Sequence, residues 1–326
     1  MFLRLSIICL FSANINNAFA QQKDSIYYYK QNLKGVKRVM IDGRFWVWTQ
    51  KIGDGKIKVL LLHGGPGQTH EYFESFPKFL LRHGITVYFY DQFGSYFSQD
   101  PTEEQLNDTS IWKVRRYVEE IEQVRKSLSL GKFFIYGHSY GAVLALAYSI
   151  KYPGNIKGLI FSSMTPFQSQ FAERQKQVGR EIDSTLHTDR RFHSLVQNKM
   201  MNKPYDTAAY EKLFDSTFSR NYLLRLDHLP DEIVRTIKHK NNEVAQKIGP
   251  DVFTVDYTEP IKKLKVPVLV ISGKYDFTTS PDQVKRLAKL FPKGGYVITP
   301  KGGHAAFLDD AKNYFPAIIK FLQKYY

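Results

Sequence analysis

The stretch KFFIYGHSYGAVLALAYSI, residues 132–150, joins an apolar run rich in aromatic residues to an apolar helical segment through Gly137-His138-Ser139-Tyr140-Gly141. This is G-x-S-x-G with a strand before it and a helix after it, the context in which the motif builds a sharp turn. Small flanking residues let the chain reverse, so the Ser139 hydroxyl projects from the C-terminal edge of a sheet. The following helix points its N-terminus at the same spot, where its dipole favours developing negative charge. A serine hydroxyl is a poor nucleophile until a base takes its proton. The stretch therefore asks where that base lies.

Outward from it, the chain alternates. KRVMID, RFWVWTQ and KVLLLH read as three strands separated by glycine-containing turns, as in an antiparallel start. Residues 85–91, 132–137, 156–163, 266–272 and 295–300 are short apolar runs rich in β-branched and aromatic residues. Helically spaced segments such as IWKVRRYVEEIEQVRKSLSL lie between the first of them. That alternation predicts an α/β fold with a mainly parallel sheet covered on both faces. From about Pro166 to Pro260 the sequence is polar and helical-looking with no convincing strand, which reads as an inserted helical cap rather than a loop. The expected organisation is a core of residues 21–165 and 261–326, with a cap at 166–260.

His304 is the base expected from position. It lies in TPKGGHAAF, a glycine-rich loop after the last strand, where the C-terminal edge of the sheet should be. His63 and His138 are tied to turns beside the serine, and the other six histidines fall on expected helices, loops or the cap. Asp276, just past the strand VPVLVIS, is the carboxylate expected to orient the imidazole. The order Ser139, Asp276, His304 is that of an α/β-hydrolase sheet. Asp91 also ends a strand, but it precedes the serine and reads as a turn and packing residue. Acyl transfer places a negative oxygen in its tetrahedral intermediate, and backbone N–H groups are the usual stabilisers. One is expected from Tyr140, directly after the serine. The other is expected from the turn His63-Gly64-Gly65-Pro66-Gly67 at Gly65, since glycine leaves its amide uncovered.

The 326 residues are 43% hydrophobic, enough for a sizeable core. The first twenty combine a basic start at Arg4, a short apolar stretch and Ala18-Phe19-Ala20, the features of a cleaved export signal. A periplasmic or secreted protein beginning near Gln21 is expected. The only cysteine, Cys9, lies inside that leader, so a mature chain would have no disulfide, no cysteine nucleophile and no cysteine-based zinc site. No other segment is long and apolar enough to span a membrane, and no metal-ligand cluster is seen. A net charge of +15 could serve nucleic acid, but the basic residues are scattered and form no stripe or motif. A solvated basic surface is expected, with no nucleic-acid partner.

HGGPGQTHEYF, YDQFGSYFS, GHSYGA, SGKYDFTTSP and GGHAAFLDD together resemble the proline iminopeptidase branch of the α/β-hydrolases, over nearly all of the chain after the leader. The resemblance implies an α/β-hydrolase fold and a cofactor-free serine peptidase that releases an N-terminal residue, often proline, from short peptides or aminoacyl amides. On it, Ser139, Asp276 and His304 match the triad, and Gly65 and Tyr140 match the oxyanion donors. Two departures concern specificity. The family commonly has Trp and Gly where this chain has Tyr140 and Ala142. IGPDVF resembles a G-P-N-E-F segment whose glutamate helps hold the substrate's ammonium, and Val252 stands in that place. Asp251 is the neighbouring candidate for that carboxylate, and Glu211 on a cap helix is the candidate for a second. The same residues leave open an esterase or amidase acting on uncharged acyl groups, or a non-catalytic binding protein on this fold.

Overall fold

A computed structural model describes residues 23–189 and 192–326. The leader expected at residues 1–20, with Cys9, lies outside the described residues. Eight strands form one sheet: β1 (Val36–Ile41), β2 (Phe45–Ile52), β3 (Ile57–Leu62), β4 (Ile85–Asp91), β5 (Phe133–His138), β6 (Ile156–Ser162), β7 (Val268–Gly273) and β8 (Gly294–Thr299). Their order is β1-β2-β4-β3-β5-β6-β7-β8. β2 pairs antiparallel with both β1 and β4, and all other neighbours are parallel. The antiparallel start is thus shorter than expected. β3 does not follow β2 in the sheet; β4 lies between them, and β3 pairs in parallel on both sides. The reason is visible in its residues. Val59, Leu60, Leu61 and Leu62 are all buried, which suits a central strand covered on both faces and not an outer hairpin.

Two large apolar clusters cover the two faces. On one, Val118, Ile121 and Val124 of helix Val114–Ser127 and Val143, Leu144 and Leu146 of helix Tyr140–Lys151 pack over the sheet. On the other, Phe73, Phe76 and Leu80 meet Tyr314, Phe315 and Ile318 of the C-terminal helix Ala311–Lys324. Helix Tyr140–Lys151 is buried nearly all round, as its uniformly apolar sequence requires.

Between β6 and β7 the described residues contain helices and no strand. Val178, Ile182 and Leu186 repeat at four-residue intervals along helix Gln168–Thr188, and they form a small cluster with Val196, Tyr210, Phe218 and Tyr222. DEIVRTIKHKNNEVAQKI, which reads as one helical piece, divides into Asp231–Lys238 and Asn242–Ile248. Asn241 makes the break: its side chain caps the second helix at the Val244 N–H (3.1 Å), while its own N–H donates to the Gly67 carbonyl (2.8 Å). One helix absent from the sequence reading, Ser25–Gln31, is capped by Asp24 and opens the described chain.

Helix Tyr140–Lys151 lies so close to β3 that a Cβ on Gly141 would sit 2.2 Å from the Leu62 carbonyl oxygen, a backbone atom that cannot rotate away. Gly141→Ala should lower unfolding stability by about 1–3 kcal/mol through overpacking. Gly179, inside helix Gln168–Thr188, has open space around the same position. Gly179→Ala should raise stability by about 0.5–1 kcal/mol through helix propensity and the stiffer unfolded chain. Urea unfolding of both variants measures the opposite signs.

Candidate active site

Ser139 sits between β5 and helix Tyr140–Lys151 with φ 55° and ψ −128°, in the left-handed half of backbone space that a non-glycine residue seldom occupies. Its N–H is held by the Ser162 carbonyl at 3.0 Å, which fixes the turn to the neighbouring strand β6. As the first residue of its helix, Tyr140 has no intrahelical acceptor for its N–H. Against this turn lies the HGGPG loop. A Cβ on Gly64 would stand 2.8 Å from the Ser139 Cβ, so the loop reaches the serine only because glycine occupies position 64. Gly65, with φ 115°, lines the same cavity as Ser139, Tyr140 and His304.

The loops after β7 and β8 bring Asp276 and His304 together. His304 Nδ1 donates to Asp276 Oδ1 at 3.1 Å. Asp276 is fully buried and accepts three more hydrogen bonds: from the Thr278 N–H (2.6 Å) and Thr278 hydroxyl (2.8 Å) on Oδ1, and from the Ser272 hydroxyl (2.7 Å) on Oδ2. Burial alone would raise its pKa. The facing imidazole and these donors outweigh burial and hold the carboxyl at about 2. The histidine's main chain is tied as well: its N–H donates to the Tyr222 carbonyl (2.7 Å), in the π turn Ser219–Leu223 that closes helix Thr207–Phe218. Arg174, buried on helix Gln168–Thr188, donates to the Asp276 carbonyl at 2.8 Å. Helices between β6 and β7 thereby brace both loops.

His138 and Tyr72 do more than fill the turn. The Tyr72 hydroxyl accepts the Gly64 N–H and stands 3.3 Å from His138 Nδ1, while His138 Nε2 stands 2.9 Å from the His304 carbonyl. The carbonyl can only accept, so Nε2 carries the proton and Nδ1 accepts from the tyrosine. The chain Gly64–Tyr72–His138–His304 joins the two loops that flank Ser139. Burial, followed by the neighbouring His304, lowers the His138 pKa to about 3, so it stays neutral in this role. His63 is also buried and belongs to the loop: its Nε2 accepts from the Gln92 N–H at 3.2 Å.

Asp91 holds structure of a different kind. Fully buried at the end of β4, it accepts the His70 N–H (2.7 Å) and His70 Nδ1–H (3.0 Å), and burial first of all raises its pKa to about 7. His70 Nε2 in turn faces the Lys30 ammonium at 3.1 Å. Lys30, buried on helix Ser25–Gln31, pairs with Glu74 and lies 3.9 Å from Glu71. Glu71 accepts from Arg235 Nε (3.1 Å) and His239 Nδ1 (2.7 Å), and Asp24 accepts from Lys238 (2.6 Å) and His239 Nε2 (3.2 Å). This network clamps helix Asp231–Lys238, whose Ile233, Thr236 and Ile237 line the cavity.

Two residues expected at the substrate end lie elsewhere. Asp251 Oδ2 accepts the Val114 N–H at 2.8 Å and Oδ1 pairs with Lys113 at 3.2 Å, so its carboxylate caps helix Val114–Ser127. The neighbouring Val252 lines the cavity instead, because successive side chains in this turn face different ways. Glu211 is exposed on helix Thr207–Phe218 and does not line the cavity. The cavity has a volume of ≈ 140 Å³. A larger depression of ≈ 620 Å³, bordered by Arg220, Arg225 and Lys301, holds none of Ser139, Asp276 or His304.

Because the folded Asp276 carboxyl titrates near 2 and an unfolded one near 3.8, the native state gains stability from it above about pH 4. That gain, on the order of 2 kcal/mol, disappears as pH falls through 2. Unfolding free energy of the wild type should therefore drop between pH 4 and pH 2 more steeply than that of Asp276→Asn, which urea titrations across that range will measure.

Residues 58–311 match the family described as alpha/beta hydrolase fold. The chain is 36% identical over 293 residues to the proline iminopeptidase of Flavobacterium johnsoniae, covering 86% of this chain and 94% of that one. It is 35% identical over 294 residues to that of Elizabethkingia meningoseptica, covering 86% and 95%. Its backbone superposes on the crystal structure of proline iminopeptidase from Mycobacterium smegmatis with a TM-score of 0.73 at 19% identity, over 89% of this chain and 98% of that one. With its sheet order, its serine elbow and these relatives, the chain belongs to the proline iminopeptidase branch of the α/β-hydrolase family.

Proposed function

We propose that this protein is a serine aminopeptidase working through an acyl-enzyme on Ser139. The observation that carries the reading is the Asp276–His304 hydrogen bond at the rim of the cavity that contains the left-handed serine. With Nδ1 committed to Asp276, Nε2 of His304 is the nitrogen left to exchange a proton. The Ser139 hydroxyl adds to the carbonyl of the substrate's first peptide bond as Nε2 takes its proton. The resulting oxyanion meets the N–H groups of Gly65 and Tyr140. Collapse breaks the C–N bond, and the leaving amine receives the proton from His304. Water then repeats the sequence: its proton passes to Nε2, its oxygen joins the acyl carbon, and Ser139 departs reprotonated. Each oxyanion donor in such a site is worth ~3–4 kcal/mol of transition-state stabilisation. Asp276, ionised and buried, stabilises the imidazolium that forms in both halves.

We read residues 166–260 as a cap over this cavity and 21–165 with 261–326 as the catalytic core. Supporting that division are the strandless interval and its own apolar cluster. Residues 1–20 we read as an export signal, on the strength of Arg4, the apolar stretch and Ala18-Phe19-Ala20. The proteins of Flavobacterium johnsoniae and Elizabethkingia meningoseptica, named proline iminopeptidases, support proline as a residue released.

A fluorophosphonate probe should label the wild type and leave Ser139→Ala unlabelled. Hydrolysis should fall by about 10⁶-fold in Ser139→Ala and in His304→Ala, and by about 10⁴-fold in Asp276→Asn. Labelling that survives in folded Ser139→Ala would assign the nucleophile elsewhere.

A further inference from the structure

Three consecutive main-chain N–H groups set the path of the chain through His304. The His304 N–H donates to the Tyr222 carbonyl (2.7 Å) and the Ala305 N–H to the Leu223 carbonyl (3.1 Å). The Gly303 N–H donates to Oδ2 of Asp309 at 2.9 Å. The same oxygen accepts the Arg225 N–H, also at 2.9 Å. One carboxylate oxygen therefore closes a ring of hydrogen bonds between residues 303–305 and residues 222–225. Asp309 ends a short helical turn, Ala306–Asp309, whose Leu308 N–H returns to the Ala305 carbonyl at 2.8 Å. The start of the histidine loop is secured separately, by the Lys301 N–H on Asp310 Oδ2 at 2.8 Å.

The ring touches both neighbours of the serine. The Arg225 guanidinium lies 3.8 Å from the centre of the Tyr275 ring, next to Asp276, and the Tyr275 N–H donates to the Gly302 carbonyl at 3.0 Å. Leu223 and Leu224, on the same segment, line the cavity, whereas Asp309 does not. Its surroundings are poor for a carboxylate. Oδ1 is buried with no hydrogen-bond partner among the described residues, and burial raises the carboxyl's pKa to about 6 against the two N–H donors that lower it. Two bonds on one oxygen thus offset the cost of burial only in part. What the placement secures is geometry. Without Asp309 the buried Gly303 amide loses its acceptor, and the loop regains one only by moving, while the exposed Arg225 turns its amide to water. Gly303 precedes His304 directly, so that movement carries the imidazole with it.

We infer that Asp309 is a positioning residue for His304: by holding the Gly303 and Arg225 amides on one oxygen, it fixes where the imidazole stands relative to the Ser139 hydroxyl. The inference rests on the acyl-enzyme reading of Ser139 and adds a residue to it. Asp309 exchanges no proton and meets no substrate; it acts through the histidine's main chain.

The test measures hydrolysis of L-proline β-naphthylamide and the rate of fluorophosphonate labelling at about pH 8, where this carboxyl is ionised. It uses the full chain and variants whose urea curves show them folded. Misplacing a reacting group by ~1 Å costs on the order of 10²-fold. Asp309→Ala should therefore lower kcat and the labelling rate together by about 10–100-fold, with KM within about threefold of the wild type. Asp309→Asn should restore both rates to within about threefold of the wild type, because both N–H groups bond a single oxygen and the amide keeps one. Thr102→Ala, which removes the side-chain cap of helix Glu103–Asn107, is the stability control and should unfold at lower urea with both rates unchanged. If Asp309→Ala does not fold, Asp309→Glu replaces it: one methylene longer, it overshoots the two amides and should be slower than Asp309→Asn by about tenfold.

Wild-type rates in folded Asp309→Ala, a change in KM without one in kcat, or an asparagine variant no faster than the alanine or glutamate variant would each overturn the inference and leave the acyl-enzyme reading standing. A wild type that neither hydrolyses the substrate nor takes the label would overturn that reading, and the inference with it.

Discussion

Everything at the site follows from one backbone constraint, the left-handed turn at Ser139. An ordinary residue there stores strain that surrounding structure must hold in place. The holding is done by close backbone approach on three sides: β6 through the Ser162 carbonyl, β3 through the space that Gly141 leaves open, and the HGGPG loop through Gly64. The contacts at Gly141 and Gly64 need an atom's width that any larger side chain would fill. The serine is therefore held at the sheet edge by backbone packing.

The second layer is polar and links loops that are far apart in sequence. Tyr72 and His138 tie the amide-bearing turn to the histidine loop, while Tyr222 and Arg174 tie the helices between β6 and β7 to the main chain at His304 and Asp276. A neutral His138 is necessary for this, since a protonated ring would lose the acceptor that Tyr72 addresses. Its burial supplies that neutrality. The same low-dielectric surroundings act oppositely on Asp276, where four donors overcome burial and keep the carboxylate ionised.

How much of this was legible beforehand depended on the range of the signal. Short stretches of six to eight residues marked every sheet strand, and G-x-S-x-G in its strand–helix context located the elbow. Asp276 and His304 could be chosen because both follow strands, so the sheet's own geometry carries them to one edge. The position of β3 was misread because strand order depends on which faces are covered, and turn composition does not reveal that. Asp251 failed as a substrate ligand for a similar reason: one residue along a tight turn, a side chain points to another neighbour and here meets a helix N-terminus. The clamp of Lys30, Glu71, His239 and Asp24 had no local signature at all. Its partners stand as far as 215 residues apart, and single charges on separate helices read as solvated until the fold brings them together.

That clamp gives the amino end of the protein an unusual status. Lys23 donates to the Tyr96 carbonyl and to Asp100, Asp24 holds helix Asp231–Lys238, and Lys30 is buried among the acids that hold the same helix. Residues 23–30 thus buttress one wall of the reaction chamber. An expression format that trims the polypeptide past Lys23 would remove part of that support, and a bulky fusion joined there would press on it. The segment 23–30 is better treated as a working component of the enzyme than as a convenient handle.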